Sequence, residues 1–160
     1  MSLFENAIPT ILEHEGGLVD DPDDAGGITN FGISKRAHPD VDVANLTEDG
    51  AAEIYRTEYW NANGYDRIDD QAVAVKVFDF AVNMGARRSH RLLQQAINLL
   101  GGELVVDGLL GPISFAAANG ANPERLVRAI EGEAARRYHS IANGTQEKYL
   151  KGWLNRCYGA

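Results

Sequence analysis

The chain has 160 residues, a formal net charge of −8 and one cysteine, which fits one domain or two small domains packed together. A single cysteine excludes an intramolecular disulfide, so folding does not depend on an oxidising compartment. The acidic balance, without a basic patch interleaved with aromatic residues, excludes nucleic-acid binding. Membrane insertion is also excluded, because Lys76 and Asp79 interrupt the most apolar stretch.

Helical patterns dominate from the N terminus onward. The first helix is indicated by an apolar face at helical spacing, formed by Phe4, Ile8, Ile11 and Leu12. It ends at Gly16-Gly17, and Pro9 predicts either a kink or a later start. Residues 18–34 are rich in Asp, Gly and Pro, and they are predicted to form a loop, with a short hairpin through residues 28–33.

Two more helices in the first half have clear N-terminal signals. Thr47, followed by two acidic residues, begins a helix that extends to about Trp60. Asp69 or Asp70 begins the next helix, which is apolar nearly all round and therefore typical of a buried central helix. Gly85 is placed to end it.

The second half also reads as helical. Ser89 is the predicted N-cap of one helix, Asn122 begins a long helix that ends at Ile141, and residues 146–157 form a last one. Tight turns are predicted at Asp107-Gly108 and Gly111-Pro112. Strand-like alternation is scarce, so the predicted fold is mainly α with a short β-hairpin or loop after the first helix.

The charges divide unevenly between the two halves. Residues 1–80 carry 17 acidic and 5 basic side chains, whereas residues 81–160 carry 6 acidic and 10 basic ones. The basic half could contact an anionic surface, or it could only complement the acidic half. The first residues lack a basic segment followed by an apolar run, so we expect no signal peptide and synthesis in the cytoplasm.

Glu15 is the most informative polar residue. It lies at the C-terminal end of the first predicted helix, where the negative end of the helix dipole and the apolar Ile11 and Leu12 disfavour an anion. A carboxylic acid that keeps its proton near neutral pH is what a glycosidase uses to protonate a leaving oxygen. The alternative interpretation is that Glu15 is only a solvated helix end.

A second acid and a hydroxyl follow Glu15 at suggestive intervals. Asp24 comes nine residues later and Thr29 five residues after that. This order is similar to the catalytic triads of phage-type lysozymes, with one residue fewer between Asp and Thr. An ionised Asp beside a hydroxyl could position and activate water opposite the acid. The neighbours that could replace Asp24 in this role are Asp20, Asp21 and Asp23.

Metal-binding motifs are incomplete. Leu18 stands where a zinc-protease helix needs its second histidine, and Gly32 stands where a calcium loop needs its bidentate glutamate. We therefore expect neither a metal ion nor another cofactor.

Several motifs taken in order resemble glycoside hydrolase family 108, a family of muramidases from phages and prophages, some of them described as secretion activators. In the first half these motifs are Glu15-Gly16-Gly17, Asp24-Ala25-Gly26-Gly27-Ile28-Thr29-Asn30-Phe31-Gly32-Ile33, Tyr55-Arg56-Thr57-Glu58-Tyr59-Trp60 and Asp79-Phe80-Ala81-Val82-Asn83-Met84-Gly85. The second half is similar to the predicted peptidoglycan-binding domain that accompanies this family, through Leu93-Gln94, Val106-Asp107-Gly108-Leu109-Leu110-Gly111-Pro112 and Gly152-Trp153-Leu154-Asn155-Arg156.

The resemblance implies a lysozyme-like helical globule, with residues 1–88 as the catalytic region and residues 89–160 as the peptidoglycan-binding region, packed as one unit. It implies that a monomer hydrolyses the β-1,4 bond between N-acetylmuramic acid and N-acetylglucosamine in bacterial peptidoglycan, with Glu15 as the catalytic acid. The alternatives are a lytic transglycosylase acting on the same bond and a non-enzymatic wall-binding protein that assists secretion. Without a signal peptide, such an enzyme would reach the cell wall through a holin, an exporter or lysis.

Three further residues are candidates for substrate binding. Tyr59 and Trp60 could stack on sugar rings or pack in the core. Asn83 shares one face of an otherwise apolar helix with Asp79, four residues before it. This polar pair needs partners, so it either supports the acidic loop, the Asp-rich residues 18–34, or faces the substrate cleft.

Overall fold

The computed structural model describes residues 3–20 and 27–159. Within these residues the chain forms seven α helices and one two-stranded antiparallel sheet. The helices are α1 (Leu3–Glu15), α2 (Glu48–Tyr55), α3 (Gln71–Met84), α4 (Ala86–Leu99), α5 (Pro112–Gly120), α6 (Pro123–Ile141) and α7 (Leu150–Tyr158). The strands are β1 (Thr29–Asn30) and β2 (Ile33–Ser34), which follow α1. The predicted mainly α, lysozyme-like fold with a short hairpin is confirmed.

Helix α1 buries one face against α3 and ends at Glu15. The helix runs through Pro9 from Leu3, so the later start that Pro9 suggested is wrong. The hairpin pairs Thr29 with Ser34, and Val19 adds a bridge to Thr29 on its other side. No described helix has the length and apolar character needed to cross a membrane.

Helix α2 begins where the sequence predicts, because the Thr47 side chain accepts a hydrogen bond from the Gly50 amide. It continues into a π-helical segment, Arg56–Asn61. The wider turn of a π-helix changes the angle between successive side chains. Tyr59 and Trp60 lie in this segment, and they differ in exposure: Tyr59 is half-buried, whereas Trp60 is buried.

Helix α3 is the central element, and it packs against α1, α4 and α6. Its N-cap is Asp70, whose side chain accepts from the Val73 amide, and Gly85 ends it with a φ of 90°. Its buried residues cover most of its surface: Val73, Ala74, Lys76, Val77, Phe78, Asp79, Phe80 and Ala81. The predicted buried central helix is therefore confirmed.

The second half departs from prediction at two helix starts. Helix α4 begins directly after Gly85, so Ser89 is not its N-cap; the Ser89 hydroxyl donates instead to the Val77 carbonyl of α3. Pro112 occupies the first turn of α5, a helix that the sequence interpretation missed because Gly111-Pro112 was taken only as a turn. Asn122 is the N-cap of α6, as predicted.

A polar stripe on α3, formed by Lys76, Asp79 and Asn83, faces the last two helices. These positions are three and four residues apart, so they lie on one face of the helix. Lys76 Nζ donates to the Cys157 carbonyl at 2.8 Å and lies 3.2 Å from Glu131 Oε1. The other two stripe residues bind Arg156 and Tyr138. The stripe therefore joins α3 to α6 and α7.

Candidate active site

Glu15 is the last residue of α1, and its side chain is 20 % exposed. The hairpin turn lies directly against it. A Cβ atom at Gly32 would lie 2.7 Å from Glu15 Oε2 and 2.5 Å from the Tyr55 hydroxyl, and Gly32 has a φ of +76°. Glycine is therefore required here both by the backbone and by the space. The Tyr55 hydroxyl donates to the Phe31 carbonyl at 2.8 Å, which fixes the turn over Glu15.

Arg156 of α7 holds the other oxygen of Glu15. Its Nη2 atom lies 2.7 Å from Glu15 Oε1 and 2.8 Å from Asp79 Oδ1. Its Nε atom also donates to Asp79, and His14 Nδ1 lies 2.9 Å from Asp79 Oδ1. We call these four residues, His14, Glu15, Asp79 and Arg156, the Glu15 cluster. It brings together the end of α1, the middle of α3 and the end of α7.

The cluster is largely shielded from water except at Glu15 and His14, whose side chains are each 20 % exposed. The Asp79 side chain is fully buried and that of Arg156 is 12 % exposed. Burial opposes the charge of Arg156, but hydrogen bonds and charge attraction from Asp79 and Glu15 outweigh it and raise the pKa of Arg156. Arg156 therefore stays ionised, and it is a rigid fork that fixes both carboxylates.

Two tyrosines lie close enough to Glu15 to interact with its charge. Burial, followed by the negative charge of Glu15, raises the pKa of Tyr55 well above its usual range. Burial and the charges of Glu58 and Glu15 also raise the pKa of Tyr59. Both phenols therefore keep their protons and remain hydrogen-bond donors. Their ring centroids lie 5.6 Å apart, and the Tyr59 ring is half-buried.

The other predicted catalytic residues are less completely described. Asp24, together with Asp21 and Asp23, lies outside the described residues. Thr29 lies in β1, where its amide and carbonyl bond to Val19 and its hydroxyl donates to the Gly27 carbonyl at 3.4 Å. Among residues 3–20 and 27–159, no group of three or more His, Cys, Asp or Glu side chains is placed to hold a metal ion.

Trp60 belongs to the core, so its predicted role in stacking on sugar rings is corrected. Its side chain is 3 % exposed. It makes edge contacts with the rings of Phe4, Tyr65 and Phe78. These contacts enclose the Trp60 ring, which leaves Tyr59 as the aromatic candidate for substrate binding in this segment.

Asn83 and Asp79 share one face of α3, as predicted, and apart from the contact of Asp79 with His14 their side-chain partners among the described residues are in the second half of the chain. Asn83 Oδ1 accepts from the Tyr138 hydroxyl at 2.5 Å, and Asp79 accepts from Arg156. The pair therefore connects to helices α6 and α7. Asn83 is exposed, so it is also accessible to a ligand that extends beyond Glu15.

Arg156 is the site residue that sequence reasoning missed. The sequence did contain a signal, because Arg156 lies between Trp153 and Cys157 on the inner side of a short helix. A charged residue on a buried helix face needs a partner. Asp79 on α3 is also a charged residue on a buried face, and its charge is opposite to that of Arg156. Glu15 and Arg156 are 141 positions apart, however, so the sequence could not show that they meet.

The family comparisons divide the chain at the start of α4. Residues 8–85 match the family described as glycosyl hydrolase 108, and residues 88–158 match the predicted peptidoglycan domain. Glu15 and Asp79 lie in the first match and Arg156 lies in the second, so the Glu15 cluster spans both.

A comparison with solved structures finds a similar fold over almost the whole chain. The structure of Brucella abortus SagA matches with 29 % sequence identity and a TM-score of 0.75, over 96 % of this chain and 88 % of that one. No curated protein sequence matches significantly. Residues 8–85 therefore form a glycosyl hydrolase 108 domain and residues 88–158 a predicted peptidoglycan domain, and the chain is a glycoside hydrolase that acts on peptidoglycan.

Proposed function

We propose that the enzyme hydrolyses the β-1,4 bond between N-acetylmuramic acid and N-acetylglucosamine, with Glu15 as the general acid. The observation that carries this proposal is the setting of Glu15. Its side chain reaches solvent at a helix end, while Arg156 fixes Oε1 and the hairpin turn confines Oε2. In the reaction, Glu15 gives its proton to the glycosidic oxygen as the bond from C1 to that oxygen breaks, and water adds to C1.

The two carboxylates of the Glu15 cluster share one guanidinium. Asp79 accepts from both Nε and Nη2 of Arg156, so the guanidinium is already paired with a carboxylate. Glu15 is the second carboxylate on the same guanidinium. Arg156 therefore positions the proposed acid through Oε1 while it also holds Asp79.

The second catalytic group comes from the acidic loop. Asp79 cannot serve, because it is fully buried and its oxygens are held by Arg156 and His14. We assign the role to Asp24, with Thr29 helping to place the attacking water. Asp20 and the other loop aspartates are the alternatives.

Inversion at the anomeric carbon is the expected outcome. A second carboxylate about 6.5–9.5 Å from the acid leaves room for water and gives inversion, whereas a separation of about 5–5.5 Å gives retention through a covalent intermediate. A loop rich in Asp and Gly is a poor support for a nucleophile held tightly against a sugar. Asp24→Asn should therefore reduce activity less than loss of Glu15, and NMR should show the α-anomer as the first product. A β-anomer would contradict inversion.

The place of action follows from the substrate. Peptidoglycan lies outside the cytoplasm, so the enzyme acts in the periplasm or outside the cell. We propose that a holin or an exporter releases it, as expected for a lysin of phage or prophage type.

Digestion of purified peptidoglycan followed by mass spectrometry tests the proposed reaction. A muramidase leaves reducing ends on N-acetylmuramic acid. A lytic transglycosylase uses the acid without activated water, and its products are anhydro sugars that are one water lighter. Reducing ends on N-acetylglucosamine, anhydro products or the absence of soluble fragments would each reject muramidase activity.

A further inference from the structure

A groove rich in arginine lies between α4 and α6, away from Glu15. Its volume is about 360 Å³. Its lining includes four arginines, Arg88 and Arg91 on α4 and Arg136 and Arg137 on α6, against one acidic residue, Glu133. The whole chain has a net charge of −8. The groove is therefore a local concentration of positive charge on an acidic protein.

The guanidinium groups in this groove remain accessible. Arg88 and Arg91 are exposed, and Arg137 is half-buried. Arg136 pairs with Glu133, yet its side chain is 70 % exposed. Guanidinium groups bind carboxylates through two parallel hydrogen bonds, and several of them in a concave surface attract anions strongly. A pocket of this size is also within the range of ligand-binding sites.

Helix α3 connects the groove to the Glu15 cluster. Asp79 binds Arg156, and one helical turn later Asn83 binds Tyr138 of α6. The next residue is Met84, whose carbonyl accepts from Arg88 Nη1 at 3.2 Å. A helix rises 1.5 Å per residue, so this contact lies about 7–8 Å along α3 from Asp79. The groove therefore begins about one and a half turns from the candidate active site.

We propose that this groove binds the carboxylates of the peptidoglycan stem peptide while the glycan lies at Glu15. This inference rests on the proposed function. Stem peptides leave the glycan at N-acetylmuramic acid, next to the bond to be cleaved, and they carry free carboxylates. All the residues that line the groove fall within residues 88–158, the match to the predicted peptidoglycan domain.

A titration with the free tetrapeptide L-alanyl-D-glutamyl-diaminopimelyl-D-alanine, followed by NMR, tests this binding without any cleavage. The peptide should shift the backbone amides of Arg88, Arg91 and Arg137, and added salt should weaken binding. The double variant Arg91→Gln/Arg137→Gln should raise the Kd at least tenfold. Arg128→Gln is the matched control, because Arg128 is an exposed arginine of α6 outside the groove lining, and it should change the Kd less than twofold.

Three results would overturn the proposal: unchanged binding by the double variant, equal binding of a peptide with amidated carboxyls, or equal binding of inorganic phosphate. A kinetic comparison adds a second readout. The double variant should raise KM for glycan that carries peptides and leave KM unchanged for strands freed of peptides by an amidase. If the enzyme cleaves no glycan, the titration still shows whether the groove binds the peptide. If the enzyme cleaves glycan but does not bind the peptide, only the proposed role of the groove is rejected.

Discussion

Two buried polar clusters cross the junction between residues 8–85 and 88–158, and they differ in charge. The Glu15 cluster contains two carboxylates and a guanidinium. The second, which we call the His90 cluster, consists of Tyr65, His90 and Gln94. His90 Nδ1 donates to the Gly108 carbonyl at 3.0 Å, and its Nε2 accepts from the Tyr65 hydroxyl at 2.9 Å. Gln94 Oε1 accepts from the Gly108 amide at 2.8 Å.

The difference shows which buried polar groups indicate chemistry. The hydrogen bonds of the His90 cluster end on the loop before α5, at the backbone of Gly108 and Leu109 and at the Asp107 carboxylate, so they shape that loop. The hydrogen bonds of the Glu15 cluster end on a carboxylate that reaches solvent. Buried charges are costly unless they are paired, whereas neutral groups need only hydrogen bonds. The charged cluster is therefore the one to which we assign the proposed reactive group, Glu15.

Loss of the acid should have the largest effect. Glu15→Gln keeps the shape of the side chain and its contact with Arg156, but it removes the proton that the leaving oxygen needs. General acid catalysis contributes about 10²–10⁴-fold, so the rate of peptidoglycan solubilisation should fall by that factor while binding to insoluble wall persists. Glu13→Gln removes an exposed charge from the same helix and should leave the rate unchanged. Near-normal lysis by Glu15→Gln would reject the mechanism.

A smaller loss of activity is expected from a methyl group at Gly32. Gly32→Ala places Cβ against Glu15 Oε2 and the Tyr55 hydroxyl, and it adds about 1–2 kcal/mol of backbone strain in the left-handed region. The acid must move, so the rate should fall at least about tenfold. Gly27→Ala is the matched control, since Gly27 has a φ of +69° but none of the described residues has an atom within 4 Å of its Cβ position. Equal rates in the two variants would show that the turn does not position Glu15.

The His90 cluster should affect stability and not catalysis. Burial lowers the pKa of His90, although its bond to Gly108 opposes this. Below its ordinary pKa, of about 6.5, unfolded His90 binds a proton while folded His90 stays neutral. Its stabilisation is therefore complete above about pH 6.5 and decreases as the pH falls below that value, by at most about 1.4 kcal/mol per pH unit.

Urea unfolding at pH 7.5 and 5.5 measures this effect. The free energy of unfolding should decrease more between these pH values for the wild type than for His90→Gln. An equal decrease in both proteins would show that His90 is not held neutral. The turnover rate of His90→Gln at pH 7.5, measured below its unfolding range, should match that of the wild type.

Thiol labelling should produce the smallest signal. Cys157 is fully buried, and burial raises the pKa of its thiol to about 12. Its carbonyl accepts from Lys76, so α7 must leave α3 before the thiol can react. Labelling with Ellman's reagent in increasing urea should follow global unfolding. Rapid labelling of the native enzyme would show instead that α7 opens independently.

Local chemistry explains which parts of the fold could be predicted. Thr47, Asp70 and Asn122 each bond an amide within their own first turn, so short sequence patterns identify them as caps. Ser89 has the same local pattern, but Gly85 starts α4 earlier and the Ser89 hydroxyl binds α3 instead. A serine side chain is suited to an N-cap, but the packing of α4 on α3 gives the Ser89 hydroxyl a different partner.

In the candidate site, too, local sequence patterns do not reveal contacts that depend on tertiary packing. The place of Glu15 at the end of a helix, before two glycines, could be predicted. Arg156 could not, because its contact with Glu15 depends on how α7 packs on α3. Likewise, nothing local distinguishes Tyr59 from Trp60; the π-helical segment and the surrounding rings determine that Trp60 lies in the core.

A double-mutant cycle between Glu15 and Arg156 tests most directly whether the second region of the chain holds the catalytic acid. The free energy of unfolding would be measured for the wild type, Glu15→Gln, Arg156→Gln and the double variant. The two side chains are 2.7 Å apart and mostly buried, so we predict a coupling energy of about 1 kcal/mol or more. Additivity within about 0.3–0.5 kcal/mol would contradict the account, because it would mean that Arg156 does not hold Glu15 in solution.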